Sequence, residues 1–151
     1  VIDPELKSPL FDCLVKLKEL AKEVRRGAYE VRRGATIWAS FPFDTFPRAI
    51  SIMCDECQPV PVNDQTAATV TLEMFMKIDT SLQEKGLDDD TLDEMRADAR
   101  FILETLQEAK NVDNDSIIIS ISLNKERAKA IETHDAQLSV QGLIVTFDII
   151  V

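Results

Sequence analysis

The run Gln137-Leu-Ser-Val-Gln-Gly-Leu-Ile-Val-Thr-Phe-Asp-Ile-Ile-Val151 decides how this chain folds. Its apolar residues alternate, as a half-buried strand requires, but the phase slips midway. Leu138 and Val140 share one frame, whereas Leu143, Val145, Phe147, Ile149 and Val151 share the other. The slip falls on Gln141-Gly142, and a glycine inside a strand predicts a bulge there. A long, bent strand with nothing after it must be covered by its own sheet, by helices or by another molecule. Its outward residues Ile144 and Ile150 gain little from exposure, so a neighbouring copy is the expected cover. Assembly is therefore the first function to consider.

Working outward, Ala67 to Ile78 is the cleanest second strand: Val70, Leu72, Met74, Met76 and Ile78 alternate with Thr69, Thr71, Glu73 and Lys77. Phe75 breaks the pattern and predicts partial cover on the outer face. Arg48 to Cys54 reads as a strand with Ile50, Ile52 and Cys54 on one side, followed by a polar loop over 55–64 that holds Pro59 and Pro61. Ser116 to Leu123 reads as a β-branched strand, and 124–135 as a polar connection into the closing strand. Two helices are expected. One starts at Ser8-Pro9, repeats Leu10, Leu14, Leu17, Ala21 and Val24, and stops by Gly27. The other opens on Asp88-Asp-Asp and buries Met95, Ala99, Ile102, Leu106 and Ala109. Between the first helix and the Arg48 strand, Val24-Arg-Arg-Gly-Ala28 echoes in Val31-Arg-Arg-Gly-Ala35. Glycines at both repeats predict a hairpin or irregular arm over 25–40, with a short strand at 36–39. Phe41-Pro-Phe-Asp-Thr-Phe-Pro47 reads as an ordered loop anchored by aromatics. The expected architecture is one α+β domain over 1–151, with two helices on one face of a mostly antiparallel sheet.

The chain has 151 residues, 45% of them hydrophobic and 29% charged, the profile of a globular domain with one core. No apolar run is long enough to span a membrane, so no membrane partner is expected. The net charge is −10, unevenly spread. Residues 1–50 hold nine basic and seven acidic groups, a surplus of +2, and residues 51–151 hold eight and twenty, a surplus of −12. Such an acidic body argues against general affinity for nucleic acid, which needs cations to neutralise phosphates. It remains compatible with a wall past which DNA slides.

Chemical motifs are sparse. Cys54-Asp-Glu-Cys57 has redox spacing, but Gln58-Pro-Val-Pro61 resists the helix that would acidify a thiol, and Asp55 and Glu56 oppose thiolate formation. Three cysteines without secretory context are expected as reduced thiols in a protein assembled in the cytoplasm. Cys13, Cys54, Cys57 and His134 offer the donors of a small zinc-binding module, an alternative reading that lacks a second close-spaced ligand pair. His134-Asp135 has no activated nucleophile beside it, and the acids at 88–94 lack the spacing of a calcium loop. Neither an enzyme nor a cofactor is expected. The arginines Arg25, Arg26, Arg32 and Arg33 read either as a solvated helix end or as a cationic arm that meets carboxylates on an acidic neighbour. Tyr29 and Trp38 nearby also leave phosphate binding open.

The order of these elements resembles the tail terminator proteins of long-tailed bacteriophages, the minor tail protein U-like group. The residues carrying the likeness are the leucine-rich first helix, Phe46-Pro-Arg-Ala-Ile-Ser-Ile52 with Phe43-Asp44 before it, Ala68-Thr-Val-Thr-Leu-Glu-Met-Phe-Met76, and the closing Leu143-Ile-Val-Thr-Phe-Asp-Ile-Ile150. The arm at 25–40 is a departure. The resemblance implies a structural virion protein of the phage neck and tail, forming a homo-oligomeric ring, expected as a hexamer. Such a ring caps the head-proximal end of the tail tube, stops its polymerisation and meets a head completion or neck protein. A sheath protein is a further partner in contractile tails, and genomic DNA transits the lumen. Another neck ring, such as a head–tail adaptor or head completion protein, is the alternative of the same class. Candidate interface residues are Arg25, Arg26, Arg32, Arg33, Trp38, Phe43, Ile144 and Ile150.

Overall fold

Apolar residues at helical spacing build the first element, α1 (Pro9–Gly27), which buries Cys13, Leu14, Leu17, Leu20, Ala21 and Val24. Its regular part ends before Val24, which is extended at ψ 142, and Arg25, Arg26 and Gly27 follow with φ of 50, 55 and 76. In chain order the strands are β1 (Glu30–Arg33), β2 (Arg48–Val60), β3 (Gln65–Ile78), β4 (Asn111–Asp113), β5 (Ser116–Ile117), β6 (Ser120–Ile131) and β7 (Ser139–Ile150). The second helix, α2 (Asp89–Ala109), lies between β3 and β4. These come from a computed structural model, which describes residues 9–60, 65–78, 89–109, 111–113, 116–117, 120–131 and 139–151.

Five strands form one sheet in the order β1-β2-β3-β7-β6, and β4 and β5 pair separately. Only β1 with β2 is parallel within the large sheet, so the expected α+β fold with a mostly antiparallel sheet holds. One face carries the main core, where Ile50, Ile52, Val70, Leu72, Met74, Leu143, Val145, Phe147 and Ile149 meet α1 and α2. From α2, Leu92, Met95, Ala99, Ile102 and Leu106 point into it. Asp89 and Asp90 stand in the first turn of α2, where carboxylates complement the helix dipole. The anticipated caps Ser8 and Asp88 lie outside the described residues.

The second face has its own smaller core, and it explains the phase slip in β7. Trp38, Phe41, Phe43, Ala49, Phe75 and Val140 cluster there, with Phe46 and Ile131 against them. Val140 therefore points away from the helices for an apolar reason, while Leu143 onward points toward them. The expected bulge at Gly142 is absent: β7 keeps register with β3 through Met76↔Gln141, Phe75↔Gly142 and Met74↔Leu143. Glycine is required because the Phe75 ring lies against it, and a Cβ at Gly142 would fall 2.2 Å from Phe75 Cε1. The bulges are on β2, between Cys54 and Glu56, and on β6, between Leu123 and Lys125.

Further expectations are corrected. The 25–40 segment is not a hairpin: β1 runs parallel beside β2, joined to it by a crossover over 34–47, about the dozen residues such a connection needs. Within that crossover, Trp38–Ser40 is a single 3-10 turn rather than a strand, while the anchored aromatic loop is as expected. The anticipated polar loop after Cys54 is mostly strand, since β2 runs to Val60 and pairs with β3 down to Val60↔Gln65. β1 ends at Arg33, paired with Ile52, so this distal half of β2 is an edge that tolerates Pro59. Finally, most of the supposed connection after Leu123 is β6, whose Lys125, Glu126, Arg127 and Lys129 are the charges of an exposed edge strand. Ser116–Ile117 belongs to β5 instead.

Candidate functional site

The helix end that bears the first arginine pair is fastened to α2. Arg25 donates from Nε to Asp98 Oδ2 and from Nη2 to Asp98 Oδ1, each at 2.8 Å, a bidentate fork. The Tyr29 hydroxyl donates to the same Asp98 Oδ2 at 2.7 Å. Glu94 completes the cluster, with Oε1 at 2.5 Å from Arg48 Nη2 and 3.3 Å from Arg25 Nε. Asp98 is 5% exposed, so this carboxylate depends on its donors. Burial, and then the bond to Asp98, hold the Tyr29 hydroxyl well above the usual phenol range. The acidic neighbour that Arg25 meets is thus its own chain's α2, and the left-handed turn at Arg25 and Arg26 swings the guanidinium onto it. Arg26, Arg32 and Arg33 remain exposed, and Arg32 lies 4.8 Å from the centre of the Phe41 ring.

Two of the aromatic interface candidates are interior. Phe43 is 1% exposed and Trp38 8%, and Trp38 Nε1 donates to Glu73 at 3.0 Å. The Trp38 ring sits 4.5 Å from Phe75 and 5.3 Å from Phe41. Their aromatic character serves the second core of this chain, which hydrophobicity alone did not separate from an intermolecular contact. Ile144 and Ile150 are half-buried on the same second face.

Beyond the aromatic loop this second face is open, a shallow trough of about 640 Å³ across β2, β3, β7 and β6. Its floor is polar and internally paired. Thr69 donates to Asp148 at 2.8 Å, Asn124 donates to Asp148 at 3.2 Å, and Thr71 donates to Asp55. Along one rim stand Lys125, Arg127 and Lys129, which make no ion pair among the described residues. On the opposite face of β6, a second hollow of about 260 Å³ opens between that strand and α2. There Glu126 accepts from Arg96 at 2.7 Å, and Arg96 also donates to Asp93 at 2.9 Å.

Cys13 and Cys54 are poor nucleophiles. Burial pushes Cys13 up to about 12. It also raises Cys54, with the nearby Cys57 and Asp55 adding to the shift. Cys13 lies on α1, whereas Cys54 and Cys57 flank the β2 bulge, and His134 is outside the described residues. Among the described residues no group of three or more His, Cys, Asp or Glu side chains stands close enough to hold a metal ion. Among them, too, no helix is long and apolar enough to cross a membrane.

The Asp98 cluster and the β6 cations were not singled out from sequence, yet both left a trace. Asp98 falls between Met95 and Ile102 on the buried stripe of α2, where an acid demands a partner. Lys125, Arg127 and Lys129 recur with period two, the spacing of one strand face. The sequence matches no protein-family model, and comparison with curated proteins returns no match.

Proposed function

We propose that this chain is a structural subunit of a homo-oligomeric ring, a tail terminator that caps the head-proximal end of a phage tail tube. The observation that carries this reading is the sheet with two unlike ends. One end is short β1 with its crossover, bearing exposed Arg32, Arg33 and Ile37; the other is the long edge β6 with a hollow between it and α2. Unlike ends favour head-to-tail contacts, which close into rings when the rotation between neighbours allows. Charges turned outward along β6 disfavour simple addition of another strand, so contacts between copies are made by side chains. The element order shared with the tail terminators supplies the rest of the reading. Six such subunits would enclose a lumen, and a body of net charge −10 would let DNA pass without retaining its phosphates.

Purified chain is mixed with tail tubes, and the products are followed by native mass spectrometry and negative-stain electron microscopy. Rings seated on one tube end, with tube growth halted, are the expected result. A monomer indifferent to tubes would overturn the reading, and rings that bind heads but never tubes would reassign the protein to the neck.

A further inference from the structure

Residues three apart on a regular strand point to opposite sides of the sheet. The bulge in β2 cancels that rule for Cys54 and Cys57. Cys54 pairs with Val70, Glu56 with Thr69 and Cys57 with Ala68, so Asp55 is the extra residue. Val70 and Ala68 both face the main core, and the two cysteines therefore stand on that same side, adjacent along β2. Their partners are two residues apart on β3, a rise of roughly 6.5 Å, which the cysteines must span as well. Disulfides join Cα atoms about 4.4–6.8 Å apart.

The Cys54 sulfur leans toward its neighbour. Its Sγ donates to the carbonyl oxygen of Glu56, the residue before Cys57, at 3.8 Å. Burial first, and then the Cys57 thiol, raise Cys54 above its usual value, so the two sulfurs act on each other. All three cysteines are free, but Cys57 is exposed and Cys54 half-buried, whereas Cys13 is fully buried in the main core. Among the described residues no strand borders this stretch of β2 on its outer side, because β1 has ended at Arg33. The backbone is thus free to draw in by the small amount that a bond requires.

We propose that Cys54 and Cys57 form an oxidative modification site, a dithiol that closes into an intrachain disulfide across the β2 bulge on reaction with a small-molecule disulfide such as oxidised glutathione. This stands apart from the ring reading. Cys57 loses its proton to solvent, and its thiolate attacks one sulfur of the incoming disulfide. That S–S bond breaks, a mixed disulfide forms, and the departing thiolate takes up a proton. Cys54 then loses its proton and attacks Cys57 Sγ, expelling the second thiolate, which is protonated in turn. The protein is oxidised by two electrons, and the small disulfide is reduced to two thiols. In a reducing cytoplasm the pair stays open, and it closes where disulfides persist. The bond would fix the residues flanking Asp55, whose carboxylate accepts from Thr71 on the floor of the trough.

The test incubates the full-length protein with oxidised glutathione under native conditions, then denatures, alkylates and weighs it by mass spectrometry. The expected product has lost two hydrogen atoms, carries one alkylated cysteine, Cys13, and yields a peptide linking Cys54 to Cys57. Cys13 should react with glutathione at least about ten-fold more slowly than the pair closes, which shows that the fold persists during oxidation. Cys54→Ser should stop at a stable mixed disulfide on Cys57, and Cys57→Ser should take up little glutathione, with thermal unfolding verifying that both variants fold. Glutathione retained on both Cys54 and Cys57 with no link between them would overturn the site, because the sulfurs would not meet. A pair that stays reduced, or that bonds to Cys13 or to a second copy, would also overturn it. Closure that appears only as Cys13 reacts would assign the bond to the unfolded chain and remove the proposal.

Discussion

Cys13 and Tyr29 hold their protons more tightly in the fold than in the unfolded chain, chiefly because burial penalises the charged forms. A raised value stabilises the fold below the unfolded pKa, and that contribution is lost as pH rises through the window above it. For Cys13 the window runs from 9.0 to about 12, and for Tyr29 it opens at 10.0. Stability should be level through neutral pH and fall above pH 9, at up to about 1.4 kcal/mol per pH unit for each group. Denaturant titrations between pH 8 and 11 check this. Cys13→Ala should delay the onset toward pH 10, leaving only the smaller share of the more open Cys54 below it. An unchanged onset would show that Cys13 is not the first group to ionise. The buried helix stripe that contains Cys13 was readable in the sequence. The hydrogen bond joining Tyr29 to Asp98, across 69 positions, was not, because no local pattern encodes which distant acid a tyrosine will meet.

Among elements, β7 shows how a correct observation can carry the wrong cause. The break in its alternation was plain from residues alone, but a bulge and a change of cored face leave the same trace. Only the crossover at 34–47, which lays Trp38, Phe41 and Phe43 on the second face, separates them. Gly142→Ala tests the assignment. The added methyl meets a Phe75 ring that is 0% exposed and has nowhere to move, so a loss of about 1–3 kcal/mol is expected by chemical denaturation. Pairing it with Phe75→Leu should recover part of the loss relative to the two single changes added together. Full additivity would mean that the two side chains do not share this space. The edge strand β6 was missed for a related reason. Charged residues read as a loop when the strand that bears them has solvent on one side.

At the scale of the molecule, exposed cations stand at both ends of the sheet, Arg32 and Arg33 at β1 and Lys125, Arg127 and Lys129 on β6, and the carboxylates of α2 lie on the helix packed against β6 and β7. If copies meet through these ends, association should weaken on raising salt from 50 to 500 mM, as screening of exposed charges requires. Sedimentation at several salt concentrations measures this, and association that strengthens with salt would point to a purely apolar contact. The α+β layering was legible because period-two and helical repeats in long segments report directly on buried faces. The parallel pairing of β1 was not, since four residues flanked by glycines carry too little pattern to fix a partner strand.

The turn after α1 places two non-glycine residues, Arg25 and Arg26, in the left-handed region, where an L side chain costs roughly 1–2 kcal/mol per residue. Arg25 recovers that cost through the fork on Asp98, whereas Arg26 is exposed and makes no ion pair among the described residues. The chain thus stores conformational strain at a position where the side chain supplies no compensating bond. Arg26→Asn, which tolerates this backbone shape, should raise stability by about 0.5–1 kcal/mol in thermal unfolding. The tight bend that brings Arg25 to its carboxylate is, at its second residue, a reserve of stability that a single substitution can release.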